Sequence, residues 1–204
     1  MEETDSQVIA NRIGEIQRKT AETDIHVRID LDGSGKATLS TGIGFFDHML
    51  NHIARHGLID LTVEASGDLH IDDHHTIEDI GIAMGQALKS ALGDCTGIVR
   101  YGHAIVPMDE SLVLCALDIS GRGMSVCELT PGSERVGSMA TEMVPEFFRA
   151  VAHNAGITLH IHQMAGVNAH HILEAAFKAF GRSLAMAAGK SDRVQGVPST
   201  KGVL

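Results

Sequence analysis

His74-His75-Thr76-Ile77-Glu78 returns as His170-His171-Ile172-Leu173-Glu174, an HHxxE pattern repeated at an offset of 96 residues (170 − 74) in a chain of 204. One copy is within reach of chance. Two copies, each preceded by a strand-like run and a short loop and each opening an amphipathic segment, mark a duplicated chain. Outward from the first copy, Thr23–Leu31 alternates like a half-buried strand, Asp32–Gly35 supplies a hairpin turn and Lys36–Ser40 starts the returning strand. Phe46, Met49, Leu50 and Ile53 take the spacing of one helix face within 45–54, Leu58–Val63 reads as a strand, and Thr76–Leu92 reads as a longer helix closed by Gly93. The half reads roughly βββαβα. Around the second copy, 100–106, 112–119 and 124–129 read as strands. Residues 139–152 fit a helix with Pro145 in its first turn, 157–161 a strand, and 171–188 a strong helix ended by Gly189. No Pro/Ser-rich linker interrupts residues 93–97, so one domain is expected, with pseudo-repeats of roughly 8–96 and 97–192 and a tail of 193–204.

Composition narrows the function classes. The chain has 26 acidic and 16 basic side chains, a formal charge of −10, 3% aromatics and 13 histidines. An acidic surface with few rings argues against nucleic acid as a partner. No run approaches the roughly 18 apolar residues of a membrane span, and Met1–Asp5 lacks the charged-then-apolar order of a signal peptide. Cys95, Cys115 and Cys127 form no CxxC pair and read as thiols of a reducing compartment, so a cytoplasmic location is expected.

On a helix, residues four apart share a face, so His74 with Glu78, and His170 with Glu174, can close on one cation. His75 and His171 are rotated by about 100° and point to a second ion, or all four are helix-start residues with solvated tips. Imidazole and carboxylate without thiolate suit Mn, Fe, Co, Ni or Zn. Asp73 and Asp79 are expected to accept from the ligating histidines, or else Asp72 and Asp73 serve as helix N-caps. His48, His52 and His56 form a stripe drifting by about 40° per step, so one cation is not expected to use all three; Asp47 is positioned to orient His48. By symmetry the second half offers Glu146 in the place of His48, with His153 as fallback and His160 and His162 in reserve. Arg100, Arg122, Lys178 and Ser199-Thr200-Lys201-Gly202 can ring an anion.

These residues resemble the imidazoleglycerol-phosphate dehydratase family. The resemblance rests on Gly44-Phe45-Phe46-Asp47-His48-Met49-Leu50, Asp73–Asp79, Asn168–Glu174, Phe177-Lys178-Ala179-Phe180 and Ser199–Gly202, and it covers almost the whole chain. It implies a duplicated α/β fold, each half a mixed four-stranded sheet backed by helices, in the form without an added phosphatase segment. It further implies a homo-oligomer, a 24-mer built from trimers with sites shared between chains, and two Mn²⁺ ions per active site. The implied metal ligands are His48, His74, His75, Glu78, Glu146, His170, His171 and Glu174. The implied substrate contacts are Glu22, His48, His56, Arg100, Arg122, His170, Lys178, Ser199, Thr200 and Lys201, of which Arg100, Arg122, Ser199 and Lys201 hold the phosphate. The implied reaction dehydrates D-erythro-imidazole glycerol phosphate to imidazole acetol phosphate in histidine biosynthesis. The resemblance further implies that the substrate's imidazolate bridges the two ions, with Glu22, or alternatively a metal-bound water, as acid/base. The rival reading is a di-iron or di-manganese carboxylate protein built as a four-helix bundle.

Overall fold

The computed structural model describes residues 12–204; the acidic opening Met1–Asp5 and the expected start of the first repeat near residue 8 lie outside them. The first half runs β1 (Ile13–Lys19), β2 (Thr23–Asp30), β3 (Ala37–Ser40), α1 (Gly44–Gly57), β4 (Asp60–Gly67) and α2 (His74–Leu92). The second runs β5 (Tyr101–Met108), β6 (Ser111–Asp118), β7 (Met124–Glu128), a small hairpin of β8 (Arg135–Val136) and β9 (Met139–Ala140), α3 (Met143–Ala155), β10 (Thr158–Ala165) and α4 (Ala169–Ala188). The sheets are β1-β2-β4-β3 and β5-β6-β10-β7, one topology twice, each with a parallel pair on one edge. These two mixed sheets exclude the four-helix-bundle reading.

The helices lie between the sheets and pair across the halves: α1 packs on α4 and α2 on α3, while α2 covers β1 and β2 and α4 covers β5 and β6. Alternation drives this. Along β2, Ile25, Val27 and Ile29 face the helices fully buried while Asp24, His26, Arg28 and Asp30 stay on the outer face, as a sheet covered on one side requires. Phe46, Phe147, Phe148, Phe177 and Phe180 fill the centre with no exposure. Their rings meet edge-on or offset at centroid distances of 4.9–6.4 Å.

Met139–Ala140, read as the start of a helix, forms β9 of the hairpin instead, and α3 begins at Met143. Three further details depart from the sequence reading. The Asp32–Gly35 turn does not return β3 onto β2. Both edges of β2 are already taken, antiparallel, by β1 and β4. The chain instead crosses to the far edge of β4, where β3 pairs in parallel; Asp60 holds the crossing by accepting the Ser34 and Lys36 N–H groups at 2.8 and 2.9 Å. The strand β1 completes the βββ order, but its own pattern is hidden. Gly14 occupies an inward position because a Cβ there would stand 1.8 Å from the Ala87 carbonyl oxygen of α2. Gly102 on β5 meets Ser183 of α4 in the same way, at 1.9 Å. Finally, Leu58 belongs to no strand. It caps α1 in the left-handed region, as Gly156 caps α3, which aligns the two helices at an offset of 98 residues (156 − 58).

Candidate active site

The crossing of α1 on α4 builds the main cluster. Gly181 lets the backbones approach, since a Cβ there would stand 2.8 Å from the Ile53 carbonyl oxygen. The stripe His48, His52, His56 then faces a second stripe with the same spacing of four, His170, Glu174, Lys178. Glu174 is 5% exposed and sits at the focus. Its Oε2 lies 3.1 Å from His48 Nε2, 3.0 Å from His170 Nε2 and 3.4 Å from His52 Nε2, while Oε1 accepts from Lys178 Nζ at 2.5 Å. Phe45 stacks edge-on against His170, 5.1 Å between centroids, and steadies its ring. Burial alone would raise the Glu174 carboxyl, but Lys178 and the surrounding histidines outweigh it and hold it at about 2. Burial pushes His52 down to about 4, and lowers His56 as well. His52 was left without a role by the sequence reading. The drift of its stripe stops mattering because the completing ligands come from another helix. His56 does stay outside the focus, stacked on His52 at 5.6 Å.

The related crossing of α2 on α3 is less tidy. Glu146 stands where the offset of 98 puts the counterpart of His48, but its carboxylate accepts from Arg149 Nε at 2.8 Å. Arg149 also reaches Glu78 at 3.3 Å, and His74 Nε2 is 3.8 Å from Glu78. Arg149 therefore bridges two of the expected ligands, and nothing in the sequence pattern flagged it. His153 does not take the slot: it is seven residues further along α3, against Gly123, with Nδ1 bonded to the Arg149 carbonyl at 2.9 Å.

His75 and His171 do turn away from their neighbours. Their acceptors, however, are neither Asp73 nor Asp79. His75 Nδ1 meets Asp68 at 3.0 Å with Glu22 at 3.7 Å, and His171 Nδ1 meets Glu110 at 2.7 Å. These partners hold both imidazoles above the ordinary histidine value. Asp73 makes no side-chain cap; it accepts the Ala140 N–H at 2.6 Å and so ties α2 to the β8–β9 hairpin. Asp79 is taken by Arg18 and Thr23 at 3.0 and 2.5 Å. Asp72 alone acts at the helix start, accepting the His74 N–H at 2.9 Å. Asp47 accepts from Thr41 and does not orient His48.

Arg100, Arg122, Ser199, Thr200 and Lys201 come together around one cavity of about 830 Å³, with Tyr101, Ser120 and the chain end. Arg100 is held bidentate by Asp118 at 2.7 and 3.2 Å and donates to the Pro198 carbonyl at 2.9 Å, so it anchors the tail. Its φ of 78° is a left-handed conformation that a non-glycine residue keeps only under such constraint.

The model of one protein family, described as imidazoleglycerol-phosphate dehydratase, matches residues 41–184. A relative of that name from Desulforamulus reducens is 60% identical over 194 residues, covering 95% of this chain and 99% of its own length. One from Acetivibrio thermocellus is 61% identical over 190 residues, 93% of this chain and 97% of its own. The crystal structure of the imidazoleglycerol-phosphate dehydratase from Staphylococcus aureus superimposes with a TM-score of 0.80 at 41% identity, covering 88% of this chain and 99% of that one. That from Pyrococcus furiosus gives 0.80 at 40% identity, covering 93% and 100%.

Proposed function

The chain belongs to the imidazoleglycerol-phosphate dehydratase family, hydro-lyases of histidine biosynthesis, and on that premise we propose that it dehydrates D-erythro-imidazole glycerol phosphate with two Mn²⁺ ions per active site. The observation that carries this is the convergence of His48, His52 and Glu174, whose ligand atoms all lie within 4.8 Å of one another, with His170 on the same carboxylate oxygen. Imidazoles around one carboxylate fit a divalent cation of the Mn–Zn series. When bound, the two ions would supply Lewis acidity to the substrate ring.

The chain's own groups do the rest. Lys178 fixes the outer oxygen of Glu174 and leaves the inner one for the cation. His74 and Glu78 form the second pair, with Glu146 joining once Arg149 swings out. Glu22 and His75 stand side by side, and the exposed Glu22 carboxylate is free to carry a proton to or from substrate carbon or leaving hydroxyl. Arg122, Ser199, Thr200 and Lys201 hold the phosphate on ground that Arg100 keeps in place. Arg122→Ala is expected to raise KM roughly 10- to 150-fold, the worth of a charge-assisted hydrogen bond, with a smaller change in kcat; steady-state kinetics checks it.

The phosphate ground lies at the Tyr101 end of β5, and Glu110 with His171 at its Met108 end. Eight residues of strand separate them by about 24 Å, too far for a small substrate to touch both in one chain. This supports sites completed by neighbouring copies; the homo-oligomer we propose is a 24-mer built from trimers. The outer face of the second sheet, where Tyr101, Ile105 and Met124 are more than half exposed, offers the apolar contact such an assembly needs. No helix among the described residues is long and apolar enough to cross a membrane, which accords with the cytoplasmic placement we infer. The test is metal removal. Thorough chelation is expected to abolish turnover and reduce the assembly's mass by light scattering, and Mn²⁺ to restore both. Full turnover in the chelated enzyme would sink the reading.

A further inference from the structure

The two histidines that turn away from their HHxxE neighbours, His75 and His171, each rest on a carboxylate, and the one beneath His171 is built in unusually firmly. Glu110 sits in the turn between β5 and β6. Its Oε2 takes His171 Nδ1 at 2.7 Å, while Oε1 accepts the N–H groups of Asn168 at 2.9 Å and Val167 at 3.3 Å and the Ser111 hydroxyl at 3.2 Å. One side chain thus joins the loop before α4, the residue that caps α4 and the imidazole one turn later.

A carboxylate only accepts hydrogen bonds, and a neutral imidazole carries one N–H. With Glu110 against Nδ1, the neutral ring carries its proton on Nδ1 and its lone pair on Nε2, which faces Asp109 Oδ2 at 3.6 Å. We propose that Glu110 is a positioning residue. It fixes the tautomer and ring direction of His171 so that Nε2 is presented to a divalent cation, in the carboxylate–histidine–metal arrangement. This inference rests on the metal reading above. The first half supplies an internal comparison. Glu22 occupies the matching β1–β2 turn, 88 residues earlier (110 − 22), the separation of Gly14 from Gly102 (102 − 14). There the histidine is held by Asp68 at 3.0 Å, and Glu22 stands back at 3.7 Å, 56% exposed. The duplicated turn has therefore divided its labour: Glu22 is left available for proton transfer, whereas both oxygens of Glu110 are committed to holding its neighbours.

Glu110→Gln is the discriminating variant. Its carbonyl oxygen still accepts from residues 167 and 168, so the loop is kept, but its amide N–H faces Nδ1 and drives the ring proton to Nε2. The chelated full-length protein is titrated with Mn²⁺, with wild type and His171→Ala alongside. E110Q is expected to weaken one of two sites about 10- to 100-fold, the same site that H171A loses, and to leave the other isotherm and the melting temperature unchanged. In the metal-free wild type, ¹⁵N NMR of His171 is expected to show the Nδ1–H tautomer. Two unchanged isotherms, equal weakening of both sites, or an Nε2–H tautomer in the wild type would each overturn the assignment. A wild type that binds no Mn²⁺ would instead overturn the metal reading, and this inference with it.

Discussion

Glu174→Gln is expected to abolish turnover and to weaken Mn²⁺ binding beyond the roughly 100-fold that loss of an outer partner costs, as read by metal titration and a dehydration assay. The residue is nearly isosteric, so its place in α4 is retained and the charge alone is removed. That charge faces three imidazoles on one side and Lys178 on the other. An amide in its place offers one acceptor where four groups converge, and turns a donor toward either the ammonium or the cation. The variant also has a pH signature. The folded carboxyl is held at about 2 against an ordinary 4.5, so its ionised form favours the folded state; that contribution is full above about 4.5 and is lost as the pH falls toward 2. Acid unfolding of the wild type is expected to include this term, and that of E174Q to lack it.

Phe177→Ala is expected to produce the largest loss of stability, about 3–5 kcal/mol, lowering the melting temperature by roughly 6–20 °C for a chain of this size. The ring is fully buried and lies 5.5 Å from Phe147, 4.9 Å from Phe148 and 6.4 Å from Phe46. Those partners belong to α3 and α1, so one deletion opens a cavity on the seam between the halves. Because the same seam carries the α1–α4 cluster, Mn²⁺ affinity is expected to fall with stability. A melting temperature lowered by less than about 2 °C, which corresponds to under 1 kcal/mol, would mean that the halves are held together elsewhere.

Much of the site was legible because it is helical and repeated. The HHxxE copies needed only the period of a helix to predict that His74 and Glu78, or His170 and Glu174, share a face, and that His75 and His171 leave it. The Glu146 position followed from symmetry, and the basic residues that line one cavity from their scarcity in an acidic chain. His52, Asp68, Glu110 and Arg149 were not legible, for one shared reason. Each acquires its role from a partner on a different element, 122 residues away for His52 and Glu174 (174 − 52) and 61 for Glu110 and His171 (171 − 110). The side chains nearest in sequence, Asp73 and Asp79, were drawn off by the hairpin and by β1 and β2.

The sequence by itself therefore determined the duplication, the composition of each half and the type of chemistry, since hydrophobic period and ligand spacing are local properties of the chain. Tertiary structure decided the rest. By pairing α1 with α4 and α2 with α3, it assembled each cluster from opposite halves and left the cavity lined by Arg100, Arg122 and Lys201 a strand's length away. Which stripes meet depends on where glycines such as Gly181 let backbones approach and where aromatic rings fill the seam between the sheets, and no single stretch of sequence carries that information.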